Sequence, residues 1–290
     1  MKQHGVALLK DEGHPVQKCC RLLKVSASGF YRWNKRLPSK SAGKALLKRQ
    51  IKRAFENSKA TYGSPRVHKK LQQEGHVVGE NTVAGLMAEE GLRARRKKAF
   101  RPQTTKSNPK DRKSARVFKI EDHMATGPNQ FWVSDLTYIP TEKEGFVYLV
   151  TVMDIHNREI KGWNLSNSME AENTKDALLK ALKMTSGPLD GLVFHSDQGA
   201  QYCADIVRDK LSLLKVTQSM SRRGNCYDNA FAESFFSSLK AELPRRKFTD
   251  LEDAGKEIFR YIEWYNRERL HSSLGYSSPL DYGRHNRHVA

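Results

Sequence analysis

The hydrophobic and polar positions divide the chain into two parts of different character. From about residue 128 the sequence shows runs rich in Val, Phe, Tyr and Trp, which are typical of β-strands, followed by alternating amphipathic and short apolar stretches. We predict strands at residues 131–139, 146–153, 159–165, 192–195 and 216–219, and helices at residues 170–184, 204–214, 228–243 and 251–267. Three consecutive strands followed by alternating helix and strand predict an α/β fold with a mixed sheet and helices on both faces.

The first hundred residues show helical periodicity instead. Residues 15–36 predict two short helices about a turn at 25–29, and residues 37–43 predict a linker. The small core of this part would contain Leu22, Leu23, Val25, Phe30 and Trp33. The pattern suits a helix-turn-helix and a plain helical hairpin about equally well.

A second helical unit follows, and its pattern is better defined. Helices are predicted at residues 44–58, 66–74 and 82–90, the last with Asn81 as N-cap. Its buried side would carry Val83, Leu86 and Met87. A basic run closes the unit and contains Arg93, Arg95, Arg96, Lys97 and Lys98. We interpret the unit as a winged or simple helix-turn-helix that binds DNA, with the basic run contacting phosphates.

The distribution of charge supports this division. The formal net charge is +19, and residues 1–125 carry 30 Lys and Arg against 10 Asp and Glu, whereas the remaining 165 residues carry 21 and 22. The basic excess therefore belongs to the amino-terminal part alone. Such segregation is expected of a polyanion-binding arm attached to a near-neutral catalytic body.

These patterns predict five segments along the chain. They are a helix-turn-helix-like segment at 1–40, a helical DNA-binding domain at 41–100, a basic linker at 101–126, an α/β core at 127–245, and a carboxy-terminal helix with a turn-rich segment at 246–290. In the last segment, Leu274, Tyr276 and Leu280 are predicted to pack back onto the core.

Cysteine usage and hydropathy indicate the compartment. Cys19, Cys20, Cys203 and Cys226 show neither CxxC spacing nor a paired-histidine partner motif, so they predict neither a zinc site nor a disulfide framework. No apolar run approaches the roughly 18 residues of a membrane span, and no signal peptide opens the chain. We expect a cytoplasmic protein without a membrane partner.

Three carboxylates stand out as candidate chemistry. Asp135 lies within a predicted strand, Asp197 ends another, and Glu233 lies on a predicted helix, with 35 residues between Asp197 and Glu233. Buried acids that converge would repel one another unless a cation joined them, and ligation by oxygen alone favours Mg²⁺ or Mn²⁺. For a single acid of this kind a solvated surface charge is the commoner reading, and that reading weakens sharply for three acids in these contexts.

The residues around these acids carry a family resemblance. The segments WVSDLTYI, FHSDQGAQY and NAFAESFFSSLK, and the carboxy-terminal YNRERLHSSLGYSSPLDY, resemble the OrfB product of the IS-three family of insertion sequences. More broadly, Asp135, Asp197 and Glu233, with Lys240 seven residues beyond the glutamate, resemble the DDE signature of transposases and retroviral integrases. The resemblance covers nearly the whole chain and implies an RNase H-like fold for the catalytic core, with Asp135 and Asp197 on adjacent central strands.

The resemblance also implies an activity. Asp135 would bind both of two Mg²⁺ or Mn²⁺ ions, and Asp197 and Glu233 would each complete the ligand set of one ion. The site would cleave the ends of an insertion sequence and transfer them into target DNA. Lys240 would contact a phosphate or base beside the scissile bond, although an exposed helix charge is the alternative reading. Arg222 and Arg223 would form a loop that grips DNA.

Other polar residues near the acids admit structural readings. Asp154 ends a predicted strand, while Asp228 and Asn229 could cap the Glu233 helix or touch metal-bound water. His195 could contact substrate, but an imidazole whose hydrogen bonds are satisfied by the backbone is the commoner case. Arg269 and His271 are expected to be structural or to contact phosphate.

The expected partners are the double-stranded terminal repeats of the element and target DNA. Bringing two DNA ends together implies at least a dimer on DNA, and in the family the protein is usually joined to an upstream first-frame product. A bacterial cytoplasmic protein, associated with the nucleoid when bound to DNA, is the expected setting. Two rivals remain open: a tyrosine recombinase, which leaves the acids unexplained, and a DNA-binding regulator with a decayed nuclease core.

Overall fold

The chain folds into two compact units, Met1–Ala94 and Arg95–Ala290, which are taken in turn. The structure is a computed structural model that describes residues 2–95, 125–185, 189–221 and 230–285, with only the backbone described for residues 35–42. Within those ranges no helix is long and apolar enough to cross a lipid bilayer. The predicted linker at 101–126 lies almost entirely outside them.

The first unit opens with a small helical core. Helices α1 (Lys2–Asp11), α2 (Val16–Leu22) and the start of α3 (Ala27–Asn57) pack together. Their core contains Val6, Cys19, Cys20 and Phe30, with Leu23, Val25 and Trp33 packed against it. Helix α1 was not predicted. The prediction that Leu22 joins this core was wrong, because Leu22 is the last residue of α2 and its side chain is 76% exposed.

Helix α3 is continuous over 31 residues, so the linker predicted at 37–43 was wrong. Pro38 and Gly43 favour a break, since proline lacks an amide donor and glycine weakens a helix. Packing holds both ends of the helix, however, with Phe30 buried near its start and Ile51 and Phe55 buried near its end. The Ser26 hydroxyl caps its start by accepting a hydrogen bond from the Gly29 amide at 3.0 Å.

The remainder of the first unit is helical, as predicted. Helices α4 (Ser64–Gln73) and α5 (Glu80–Glu89) pack on each other and on α3. The predicted inward residues Val83, Leu86 and Met87 are buried. Asn81 does not cap α5 as predicted, because the helix begins earlier and its N-cap is Gly79.

The second unit contains the predicted mixed sheet. Its five strands are β1 (Phe131–Pro140), β2 (Phe146–Asp154), β3 (Ile160–Ser166), β4 (Val193–Ser196) and β5 (Thr217–Met220). They lie in the order β3-β2-β1-β4-β5. The first three are antiparallel, and β4 and β5 run parallel to β1. This arrangement confirms the predicted RNase H-like α/β fold, and it places β1 and β4 side by side at the centre.

Helix α6 (Ala171–Lys183) packs very closely on β3 and β2. Gly162 of β3 makes this possible, because a Cβ there would lie 2.3 Å from the carbonyl oxygen of Ala177. Beyond β4, the single helix predicted at 204–214 is preceded by a further short helix. The pair is α7 (Ala200–Cys203) and α8 (Asp205–Leu213), and the extended backbone of Ala204 separates them.

The carboxy-terminal part forms the rest of the second unit. It comprises α9 (Ala230–Glu242), α10 (Leu251–Arg267), a 3₁₀ turn at Ser272–Leu274 and α11 (Pro279–His285). Aromatic contacts join α9 to α10, with the Phe235 ring 4.9 Å from that of Tyr265. Leu274 is buried as predicted, whereas Tyr276 and Leu280 are half-buried. The five-segment division of the chain remains a prediction.

Candidate active site

Asp135 lies in the middle of β1, the central strand of the sheet. It pairs with Thr151 across the antiparallel neighbour β2. One carboxylate oxygen accepts a hydrogen bond from the amide of Leu136 at 2.8 Å. The flanking residues Val133 and Thr137 are buried, so the strand holds this carboxyl rigidly within the sheet.

Asp197 is placed beside Asp135 by the pairing of β4 with β1. The parallel register pairs Val133 with His195. Asp135 lies two residues beyond that pair within β1, and Asp197 lies two residues beyond it, directly after the end of β4. The register therefore brings the two residues to about the same level. The amide of Gly199 donates to the Asp197 carboxylate at 3.0 Å, which orients the side chain as the chain leaves the strand.

Glu233 enters from the first turn of α9, which packs against β1. Its side chain is exposed, like that of Ser237, whereas Phe235 and Leu239 are buried. The helix therefore turns its apolar side to the core and its acid outward. Phe231 is half-buried, and its ring is covered by the Arg158 guanidinium, whose central carbon lies 3.7 Å from the ring centroid.

The three acids influence one another's ionisation through Asp135. Burial, followed by the negative charge of Asp197, raises the pKa of Asp135 to about 8, with a smaller contribution from Glu233, while the Leu136 amide opposes the shift. Burial also raises the pKa of Asp197, against the hydrogen bond from Gly199. Desolvation raises the pKa of Glu233 as well. Ionised Asp135 is therefore unfavourable unless a positive charge joins the group.

This donor set suits a hard divalent cation. Among the described residues, no three His, Cys, Asp or Glu side chains already stand together as a metal-binding group. Oxygen-only ligands match the preference of Mg²⁺ and Mn²⁺, and a cation would relieve the unfavourable charge on Asp135. The assignment of Asp135, Asp197 and Glu233 as metal ligands stays a prediction.

Lys240 lies near the acids on the same helix as Glu233. Its ammonium nitrogen is 4.5 Å from the centroid of the Tyr138 ring, and its side chain is half-buried. Burial lowers the pKa of Lys240, and the charge of Asp135 partly offsets that effect. The Lys240 ammonium is therefore held against an aromatic ring and partly shielded from solvent, unlike a fully solvated charge on a helix surface.

His195 is fully buried directly before Asp197 in the chain. Its Nδ1 lies 2.8 Å from the Ser219 hydroxyl and its Nε2 lies 3.0 Å from the Ser221 hydroxyl. We expected backbone groups as the partners of this imidazole, and that expectation was wrong in detail. Each ring nitrogen instead has a serine hydroxyl within hydrogen-bond distance, from Ser219 in β5 and from Ser221 just after it. This network ties the end of β4 to the end of β5 and so supports the position of Asp197.

Sequence reasoning missed one residue behind the acids, Tyr202. Its phenol is fully buried and lies 3.0 Å from the Ser134 hydroxyl. Burial, with the charges of Asp135 and Asp197, raises the pKa of Tyr202 well above its usual range. Neither spacing nor composition marks a tyrosine five residues after an aspartate as part of a site. Its position beside the acids is apparent only from the fold.

Some of the remaining predicted residues lie in the described part of the chain and others lie outside it. Asp154 is buried and accepts hydrogen bonds from the amides of Asn129 and His156 at 2.7 and 2.9 Å, which indicates a structural role. Arg95 donates to the carbonyl oxygens of Glu242 and Leu243 at 3.3 and 3.2 Å, and Arg93 is exposed. Outside the described residues lie Arg96, Lys97, Lys98, Arg222, Arg223, Asp228 and Asn229.

Comparisons with known proteins agree with this architecture. Two matches to integrase core domain families cover residues 125–226 and 214–279, and an HTH-like domain family matches residues 42–100. The transposase InsF of insertion sequence IS3A from Escherichia coli is 36% identical over 93% of this chain and 94% of its own length. The transposase of element IS904 from Lactococcus lactis is 39% identical over 87% of this chain and 99% of its own length.

The catalytic core domain of HTLV-2 integrase, solved with magnesium, is 13% identical and covers 54% of this chain and 97% of that domain, with a TM-score of 0.41. The family assignment rests instead on the sequence relatives, which match this chain at more than a third identity over almost its full length. The chain is thus a member of the IS3 (IS-three) family of transposases, with an HTH-like domain ahead of an integrase core domain.

Proposed function

We propose that this transposase is a DDE-type polynucleotidyl transferase that cleaves the ends of its own insertion sequence and joins them to target DNA. The reaction depends on two Mg²⁺ or Mn²⁺ ions. Asp135, Asp197 and Glu233 are the catalytic metal ligands. Lys240 contacts a DNA phosphate or base beside the scissile bond.

One observation carries the proposal: the register of β1 and β4 brings Asp197, directly after β4, to about the level of Asp135, and burial together with the charge of Asp197 raises the pKa of Asp135 to about 8. A fold gains no stability from two acids placed in this way. Such an arrangement is characteristic of functional sites, where charge is held ready for a ligand.

When bound, a pair of divalent ions lowers the pKa of a water nucleophile and stabilises the departing 3′ oxygen. The protein's own residues provide orientation. The Gly199 amide holds the Asp197 carboxylate, β1 holds Asp135 within the sheet, and buried Phe235 fixes α9 with Glu233 exposed. Replacing water by a DNA 3′ hydroxyl as nucleophile turns cleavage into strand transfer.

DNA is the proposed partner of the amino-terminal unit. Its HTH-like domain coincides with the part of the chain that carries the positive charge, as expected where phosphate contacts supply affinity. The basic run Arg93, Arg95, Arg96, Lys97 and Lys98 and the pair Arg222 and Arg223 are proposed DNA contacts. Joining two element ends requires at least a dimer on DNA, with or without the first-frame product of the same element.

A strand-transfer assay tests the proposal. Purified protein is mixed with supercoiled plasmid and a pre-cut DNA end taken from the sequence that flanks its gene. Joined product is expected with Mg²⁺ or Mn²⁺ and not with EDTA, and Asp197→Asn is expected to reduce it to the EDTA level. Asp205→Asn is the matched control, since Asp205 is an exposed acid of the same unit whose side chain pairs with Arg208 at 3.2 Å.

Joining in EDTA, or full joining by the Asp197→Asn variant, would contradict the proposed chemistry. End binding without joining under any metal condition would point instead to a DNA-binding regulator with an inactive core. Footprinting the flanking DNA with the intact chain identifies the terminal sequence it protects, and so supplies the correct substrate for the assay.

A further inference from the structure

A short row of side chains leads away from the acids along the edge of β1. Strand β4 pairs with β1 only from Phe131 to Val133, so the later part of β1 extends beyond that partner. Tyr138 lies in this later part, three residues past Asp135. Its ring centroid lies 4.5 Å from the Lys240 ammonium nitrogen, and the negative charge of Asp135 acts on the same ammonium.

The row continues from Tyr138 to Phe146 on the neighbouring strand. The two rings meet edge to face, with centroids 5.3 Å apart and planes at 83°. Phe146 begins β2 and pairs with Pro140. Tyr138 is half-buried, whereas Phe146 is 48% exposed. The row therefore begins at a cation near the acids and ends in a solvent-exposed aromatic ring.

This combination has the chemistry of a single-stranded nucleic acid subsite. Such subsites join a positive charge for the backbone to an aromatic ring on which a base stacks. The distances between successive members are 4.5 and 5.3 Å, so the row is about as long as one to two nucleotides of an extended strand. An intact duplex keeps its bases in the stack, whereas a cut or frayed end offers an unpaired base at little cost.

We propose that Tyr138 and Phe146 form a ledge on which an unpaired base at the element's DNA end stacks, while Lys240 holds the adjacent phosphate. Phe146 provides the stacking surface. Tyr138 is a positioning residue that seats the Lys240 ammonium and orients the Phe146 ring. The inference rests on the proposed function and adds a specific substrate feature to it, namely an unpaired base next to the scissile bond.

The edge-to-face contact explains why two aromatic residues are needed. A lone exposed phenylalanine is unremarkable on a protein surface, but Phe146 is held by a ring that also contacts Lys240. Aromatic pairs in this geometry gain attraction beyond burial, and a cation over a tyrosine ring is stabilised by its electron-rich face. Both contacts reduce the freedom of groups that would meet DNA.

Photocrosslinking tests the ledge directly. The intact protein is bound, with Ca²⁺ present, to a duplex carrying a three-nucleotide 3′ overhang with one 5-iodouracil, and is then irradiated. The expected crosslink maps to the peptide that contains Phe146, and it disappears in Phe146→Ala. The same label placed in a fully paired duplex, or in an intact target plasmid strand, should give no crosslink there. Equal crosslinking from paired and unpaired positions would overturn the proposal.

Strand transfer supplies a second readout. Loss of one stacked base corresponds to a reduction of roughly 5-fold to 100-fold, so Phe146→Ala should lower joining by that factor and Phe146→Trp should restore it. Phe259→Ala is the matched control, because Phe259 is a 54% exposed phenylalanine on α10. Unchanged joining by Phe146→Ala while the wild type is active refutes the ledge alone. Absence of joining by the wild type with either metal refutes the proposed function, and the crosslinking result then decides the ledge separately.

Discussion

The Arg269 guanidinium grips the carboxylate of Glu242 with two short hydrogen bonds, from Nε to Oε2 at 2.8 Å and from Nη2 to Oε1 at 2.6 Å. Both side chains are buried, and the Tyr261 hydroxyl adds a third bond to Glu242 at 2.8 Å. Glu242 ends α9, the helix that carries Glu233 and Lys240. The pair therefore fastens the helix that carries Glu233 to the segment that follows α10.

Breaking this pair should destabilise the protein strongly. Arg269→Gln leaves the Glu242 carboxylate buried without its cation, and we expect the free energy of unfolding to fall by about 3–5 kcal/mol. Denaturant titration measures this change. Arg267→Gln is the matched control, because Arg267 pairs with Glu263 at 2.8 Å on the exposed side of α10 and should cost less than about 1 kcal/mol. Similar losses for both variants would contradict the structural importance of the buried pair.

Gly162 should tolerate no side chain. A Cβ at this position would lie 2.3 Å from the Ala177 carbonyl oxygen and 2.4 Å from the Ala181 amide, so Gly162→Ala must push α6 away from β3. We expect a loss of about 1–3 kcal/mol in denaturant titration. Gly255→Ala serves for comparison. Gly255 lies within α10, and among the described residues a Cβ there would meet Leu165 of β3 at the ordinary contact distance of 3.8 Å, so a gain of up to about 1 kcal/mol is expected. Equal stability of the two variants would refute the close approach.

Stability without metal should depend on pH through Asp135. Its carboxyl keeps a proton up to about pH 8 in the folded protein, well above the ordinary pKa of 3.8. The folded state therefore binds more protons than the unfolded state between roughly pH 4 and pH 8, and stability falls as the pH rises through that window. Asp135→Asn removes this contribution, so in EDTA its stability advantage over the wild type should grow from pH 5 to pH 8.

Metal provides the complementary control for Asp135. Added Mg²⁺ should raise the melting temperature of the wild type more at pH 8 than at pH 5, because ligation requires the ionised carboxyl. The Asp135→Asn variant should respond weakly at either pH. If the stability of the wild type and that of Asp135→Asn changed with pH in parallel in EDTA, Asp135 would be ionised throughout this pH range.

The sequence predicted those parts of the fold that have a periodic signal. The central strand with Asp135, the strand ending before Asp197 and the helix with Glu233 lie where alternation and helical spacing placed them. Helix α1 was missed, and α3 was divided, because packing at both ends of α3 overrides the local effect of Pro38. The predicted and observed ends of helices and strands differ by one or two residues where the last helical turn or the last paired strand residue depends on tertiary contacts.

The supporting residues of the site could not be predicted in the same way. His195 meets Ser219 and Ser221, and Tyr202 meets Ser134. These contacts join a histidine and a tyrosine to serines that are distant in sequence, so no spacing or composition marks them. Only strand order brings the hydroxyls together. The same holds for Tyr138, Phe146 and Lys240, which come from three different elements.

The location of bound metal tests the central claim most directly. Crystals of the protein with a pre-cut DNA end and Mn²⁺ would be measured at the manganese absorption edge to give an anomalous difference map. We expect two peaks roughly 4 Å apart, with carboxylate oxygens of Asp135, Asp197 and Glu233 about 2 Å from them. Manganese bound elsewhere, or a DNA-bound structure in which any of these three carboxylates stays out of reach of the metal, would contradict the account.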